Sequence, residues 1–202
     1  ADITATCLAV ARALGRDMPP DVVADIALSI EPSDGVMFSG VMIFDHLRGK
    51  WRQRLGEVPD LDIYIIDTGE PIDTMQFNDL VDLTERNRQK EPQVRKALQL
   101  AKAAFEREDK SLLGKAMITS AMAHQSIMPK PFLPKIMALA EKHKALGVNV
   151  AHSGSSFGIF FEKGFQVPPK CWGDIYEELW RLNKGCRIIK TTADNRGPRI
   201  IE

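Results

Sequence analysis

Hydrophobic positions recur along this chain with two periods, and the period changes several times. In residues 1–14, Ile3, Cys7, Val10, Ala11 and Leu14 share one face at helical spacing, and Gly15 is a natural stop. Pro19-Pro20-Asp21 opens a second helical run, 22–30, which ends before Pro32. Residues 35–44 form a near-continuous apolar run that predicts a buried strand. Residues 51–55 alternate, so the two stretches read as a β-hairpin with His46 and Arg48 near its tip. Residues 61–66, inside DLDIYIID, predict a further strand, followed by an acidic loop over 67–73.

The middle of the chain is helical. The pattern predicts a helix over 74–88 behind a cap at Asp73 or Thr74, and another over 92–106 with Val94, Leu98, Ala101 and Phe105 on one stripe. A third covers 112–127, capped by Asp109 or Ser111, with Leu113, Ala116, Ile118 and Met122 inward. Pro129, Pro131 and Pro134 mark the next boundary, and a helix over 133–146 is closed by Gly147 at its C′ position. Val148 and Val150 alternate as a short strand, and Ile159-Phe160-Phe161 is a second apolar run. A helix over 172–182 and a strand over 186–191 follow, before a loose tail.

Strands come in pairs with helices between them, not in strict alternation. That predicts an α+β fold, a mostly antiparallel sheet over 35–191 with helices on one face. The division expected is a helical part over 1–34, a main domain over 35–191 and a tail over 192–202.

Composition narrows the function classes. Lys+Arg 27 balance Asp+Glu 27, and without a basic block nucleic acid is disfavoured as the main partner. Hydrophobic residues make up 44%, enough for a full core. No apolar run approaches the ~20 residues of a membrane span, and the helical start does not read as a signal peptide. Cys7, Cys171 and Cys186 are odd in number and lack CxxC spacing, which fits a reducing cytoplasm and no structural zinc.

The stretch with the clearest chemistry is GVNVAHSGSSFG, residues 147–158. A strand, a small-residue loop and an apolar run can bring bare backbone N–H groups to an anion, with serine hydroxyls as further donors. A plain hairpin turn is the alternative. Ser153, Gly154, Ser155 and Ser156 are the candidate phosphate-side residues. Asp34, in Pro-Ser-Asp-Gly before the apolar run, is either a general base or an Asx-turn residue. Glu31, His152, Asp67 and Thr68 are candidates for substrate binding; Glu31 meets a substrate ammonium or a metal ion or is a helix-end carboxylate in water, His152 has a bland reading as a structural hydrogen-bonder, and Asp67 and Thr68 as caps of the following helix. Asp45 with His46 is a metal pair or a solvated hairpin tip. Lys130, between prolines, meets an anion or stays in water.

Several segments together resemble a known family. GVNVAHSGSSFGIFF is similar to the third, Gly/Ser-rich motif of the GHMP kinases. IEPSDGVMFSGVMIFDH, IDTGEPIDTMQFN and MPKPFLPKIMALAEKHKALGVNVAHSG resemble more specifically the L-threonine kinase group of adenosylcobalamin synthesis, in that group's order. The resemblance implies a ferredoxin-like sandwich and an ATP-dependent kinase using Mg²⁺, which phosphorylates the hydroxyl of L-threonine in the cytoplasm. Homoserine or a mevalonate-type alcohol is the alternative substrate, and a non-catalytic amino-acid-binding module the alternative class. It also implies that residues 1–14 match the helix that follows the family's main ATP loop. The chain is therefore expected to be a C-terminal part, inactive alone, with the N-terminal part of the same kinase as partner and a homodimer open.

Overall fold

The structure is a computed structural model that describes residues 2–69, 83–151, 155–182 and 185–200. The described elements are α1 (Asp2–Ala13), α2 (Pro20–Ile30), β1 (Val41–Phe44), β2 (Arg52–Gly56), β3 (Leu61–Asp67), α3 (Leu83–Arg107), α4 (Lys110–His124), α5 (Leu133–Lys142), β4 (Gly147–Val150), β5 (Ser156–Glu162), α6 (Pro169–Arg181) and β6 (Arg187–Thr191). The chain is α+β, and all its described strand pairs are antiparallel. The described strands form two sheets rather than the single one expected over 35–191: β1 with β2, and a four-stranded sheet in the order β4-β5-β3-β6. Contacts divide the chain into two compact units, Ala1–Val58 with Asp194–Glu202, and Pro59–Ala193. The hairpin thus groups with the N-terminal helices, and the division falls after Val58 rather than after residue 34.

In the first unit, Val23, Ala24 and Ala27 of α2 and Met37 form a small core with Ile3, Cys7, Met18, Phe38 and Phe44 against it. The apolar run 35–44 is not one buried strand. Gly40 turns at φ +68°, where a Cβ would sit 2.4 Å from the Gly56 carbonyl oxygen, so only Val41–Phe44 is extended. Arg52 ties β2 to α2 through ion pairs with Asp21 at 2.9 Å and with Asp25. The tail is not loose. The Asn195 side chain donates to the Val58 carbonyl at 2.9 Å and accepts the Val58 N–H at 2.8 Å, copying a strand neighbour.

In the second unit the pleat puts Tyr64, Ile66, Val148, Phe157, Ile159, Phe161 and Ile188 on one sheet face. Leu133, Ile136 and Leu139 of α5 and Cys171, Ile175 and Leu179 of α6 cover that face. Each large side chain buried there contributes about 1.5–3 kcal/mol. The helix-backed sheet read from the alternation is therefore present.

Three helical expectations change. α3 runs unbroken through Pro92, because Arg88, whose carbonyl loses its donor, and Pro92 itself are both exposed and water can replace the bond. Met122 is 43% exposed; the inward side of α4 is built from Leu113, Gly114, Ala116, Ala121 and Ala123. α5 stops at Lys142, and Gly147 begins β4 instead of closing the helix. Lys144 takes the left-handed position at φ +65°, with Ala145 N–H donating to Ala140 O and Lys144 N–H to Glu141 O, both at 2.9 Å.

Candidate functional site

β4 and β5 pair as a hairpin, and Ala151 N–H donates to the Ser156 carbonyl at 3.0 Å across the base of the Gly/Ser loop. His152, Ser153 and Gly154 lie outside the described residues, as do Asp73 and Thr74. Ser155 and Ser156 are described, and the structure brings them together with Asp67 and Thr68.

Asp67 ends β3, directly across from Ser156 on β5 and from Arg187 on β6. Its Oδ1 accepts the Ser155 hydroxyl at 2.6 Å and the Gly69 N–H at 3.0 Å. Arg187 stands 3.9 Å from Oδ2. The Ser155 hydroxyl first, then Gly69 N–H, Arg187 and Ser156, hold the Asp67 carboxyl below its ordinary range by stabilising the charged form. Thr68, 7% exposed, donates its hydroxyl to the Ser155 carbonyl at 3.0 Å. Two side chains from the end of β3 thus grip Ser155 by its hydroxyl and its carbonyl. One strand further in, Asn149 accepts the Gly158 N–H at 3.1 Å. A Cβ at Gly158 would lie 2.6 Å from that Asn149 oxygen, so the glycine is required for the approach.

Asp34 and Glu31 belong to the other unit. Both side chains are exposed. The Asp34 carbonyl accepts Val36 N–H at 2.8 Å, Ser33 N–H donates to His46 O at 3.0 Å, and Glu31 ends α2 with its N–H on Ala27 O. These bonds fix the loop backbone and leave the Asp34 carboxylate facing water. Asp45 is a turn device: its carboxylate accepts the N–H groups of Leu47, Arg48 and Lys50. Among the described residues no group of three His, Cys, Asp or Glu is gathered to hold a metal ion.

Three charged clusters were absent from the sequence reading. Arg187 reaches Asp67 only through the β3–β6 register, for which the sequence carries no signal. Asp62, 2% exposed, pairs with Lys190 at 2.9 Å and Lys163 at 3.3 Å; its place on the buried face with Tyr64 and Ile66 was a legible flag. Asp174 on α6 binds His143 and Lys170, each at 3.1 Å, and Lys142 at 3.3 Å. Those contacts, His143 first, pull its carboxyl far below the ordinary range.

This fold has solved counterparts. The homoserine kinase from Cytophaga hutchinsonii superposes with a TM-score of 0.64 at 16% identity, covering 95% of this chain and 64% of that one. The L. major mevalonate kinase in complex with R-mevalonate gives 0.64 at 15% identity, covering 98% and 65%. No family model matches the chain. In sequence it is 30% identical over 174 residues to the L-threonine kinase of Citrobacter freundii, which covers 81% of this chain and 56% of that relative. The chain is similar in sequence to L-threonine kinases and shares its fold with a homoserine kinase and a mevalonate kinase. It spans about half the length of the curated relatives it matches. The Gly/Ser-rich segment that carried the resemblance is the β4–β5 connection, and its far end is anchored to β3.

Proposed function

We propose that this chain works as part of an ATP-dependent kinase that transfers the γ-phosphoryl group to the hydroxyl of L-threonine. The observation that carries the proposal is the 30% identity to an L-threonine kinase, sustained over 81% of the chain. The N-terminal, ATP-loop part that the resemblance implies would complete it, and the reaction is placed in the cytoplasm.

Phosphoryl transfer needs positioning and neutralised charge more than covalent chemistry from the protein. Mg²⁺ bound with the nucleotide would supply neutralisation of the phosphate charge, without a dedicated set of protein ligands. The chain's own part begins at the Gly/Ser loop. Ser153, Gly154, Ser155 and Ser156 offer backbone N–H groups, and Ser153 its hydroxyl, to phosphate oxygens; the Ser155 hydroxyl is donated to Asp67. Asp67 and Thr68 support that role by restraining Ser155, the described end of the loop, through two hydrogen bonds. His152 and Glu31 are proposed on the substrate side. Asp34, exposed in a loop of fixed backbone, is the proposed base that takes the hydroxyl proton.

The test supplies the protein expressed from its whole gene with MgATP and, separately, L-threonine, homoserine and mevalonate, and follows phosphorus by NMR. Phosphate ester on L-threonine is expected. A main product from homoserine or mevalonate would move the substrate. Saturable L-threonine binding without transfer to any alcohol would make the chain an amino-acid-binding module.

A further inference from the structure

From the first unit we infer that Arg48 binds the carboxylate of an amino-acid substrate, next to Asp34. The inference rests on the kinase reading above. Two contacts bring the Asp34 loop against the β1–β2 hairpin. Ser33 N–H donates to His46 O at 3.0 Å. Gly35 approaches Phe44 so closely that a Cβ on the glycine would lie 3.2 Å from the Phe44 Cβ. Asp34 stands between these two contacts, beside the tip formed by residues 45–51. Loop and tip both belong to the same compact unit.

The tip is held in one shape. The Asp45 carboxylate accepts the N–H groups of Leu47 and Arg48, each at 3.1 Å, and Asp45 O accepts Gly49 N–H at 2.8 Å. The Arg48 backbone is therefore fixed, while its side chain is exposed. The other arginines of the hairpin are engaged: Arg52 with Asp21 and Asp25, and Arg54 with Glu57 at 3.2 Å. Among the described residues, Arg48 and Lys50 have no ion-pair partner. Of the two, Arg48 is the better carboxylate ligand, because a planar guanidinium donates to both oxygens at once. It is also the nearer in sequence to His46, which holds the Asp34 loop.

L-Threonine carries its carboxylate, ammonium and hydroxyl on three consecutive carbons, so a site that reads it needs three complementary groups close together. The corner supplies one for each: Asp34 for the hydroxyl proton, Glu31 for the ammonium and Arg48 for the carboxylate. Two exposed carboxylates beside an unpaired guanidinium suit a zwitterion better than an uncharged alcohol.

The experiment measures binding by calorimetry, and turnover, on the whole-gene protein and on Arg48→Gln, Arg48→Lys and Lys50→Gln. The ligands are L-threonine, L-threonine amide (whose carboxyl group carries no charge) and MgATP. Arg48→Gln is expected to weaken L-threonine about 10–100-fold, the range for losing a charged hydrogen bond. The amide and MgATP should bind as they do to the parent. Arg48→Lys should recover part of the loss, and Lys50→Gln should stay within a few-fold of the parent. Parent-like L-threonine binding in Arg48→Gln overturns the inference. So do equal losses for L-threonine and its amide, which would make Arg48 structural, and a loss in Lys50→Gln that exceeds that in Arg48→Gln. A parent that binds no L-threonine overturns it as well. A parent that binds L-threonine but transfers no phosphoryl group fails the kinase reading alone, while the binding constants still decide on Arg48.

Discussion

At the scale of single residues, Asp67 shows how a carboxylate can hold the end of a loop in place. It accepts two hydrogen bonds on one oxygen and faces Arg187 with the other, so its folded pKa is depressed. A depressed carboxylate stabilises the fold above its unfolded pKa, about 3.9, and that contribution is lost as pH falls through the lower folded value. Ser155→Ala removes the largest cause. The Asp67 carboxyl resonance is then expected to titrate at higher pH, and the part of the stability lost on acidification through this group is expected to shrink. An unchanged titration would show that Gly69 and Arg187 suffice. Asp34 makes a sharper functional case. If it is the base, Asp34→Asn lowers kcat by roughly 10²–10⁴ with KM little changed. A variant within a few-fold of the parent would return Asp34 to a turn residue.

At the scale of elements, α4, α5 and β4 explain each other. Gly114 on α4 and Gly147 at the start of β4 meet backbone to backbone. A Cβ on Gly114 would lie 1.8 Å from Leu146 O, and one on Gly147 lies 2.8 Å from the Gly114 Cα. The glycine that the sequence offered as a helix stop is therefore used for close packing, and the left-handed stop falls to Lys144 three residues earlier. Lys144→Gly relieves about 1–2 kcal/mol of left-handed strain against about 0.5–1 kcal/mol of added chain entropy. A gain of about 0.5–1 kcal/mol is expected in urea unfolding, with an unchanged m value. Gly114→Ala has the opposite sign. Its Cβ meets a backbone oxygen that cannot rotate away, so a loss of about 3 kcal/mol is expected, the upper end of overpacking. If Gly114→Ala proves neutral, the contact is looser than these distances state.

At the scale of the whole chain, what the sequence showed and what it hid separate on physical grounds. Alternation in 61–66 and 148–150 located β3 and β4, because the side-chain period is local. The separation of β1–β2 from the larger sheet was hidden, since pairing partners are set by contacts distant in sequence. The Gly/Ser loop was legible as composition, but the grip of Asp67 and Thr68 on Ser155 depends on cross-strand register. The tail is the clearest miss. Asp-Asn-Arg-Gly-Pro reads as irregular, yet Asn195 closes the first unit by returning to Val58 after the second has been completed. Its carbonyl also accepts Gly40 N–H at 2.9 Å. Asn195→Ala keeps that last bond and deletes the two side-chain bonds, leaving a partly buried N–H and C=O of Val58 without their partners. Such losses cost about 1–3 kcal/mol, so the Val58 amide is expected to exchange about 5–150-fold faster. The amides of Ile66 and Phe157, in the other unit, should keep their protection. Uniform loss of protection across both units would show that they unfold as one, and an unchanged Val58 amide would show that the tail clamp carries no stability.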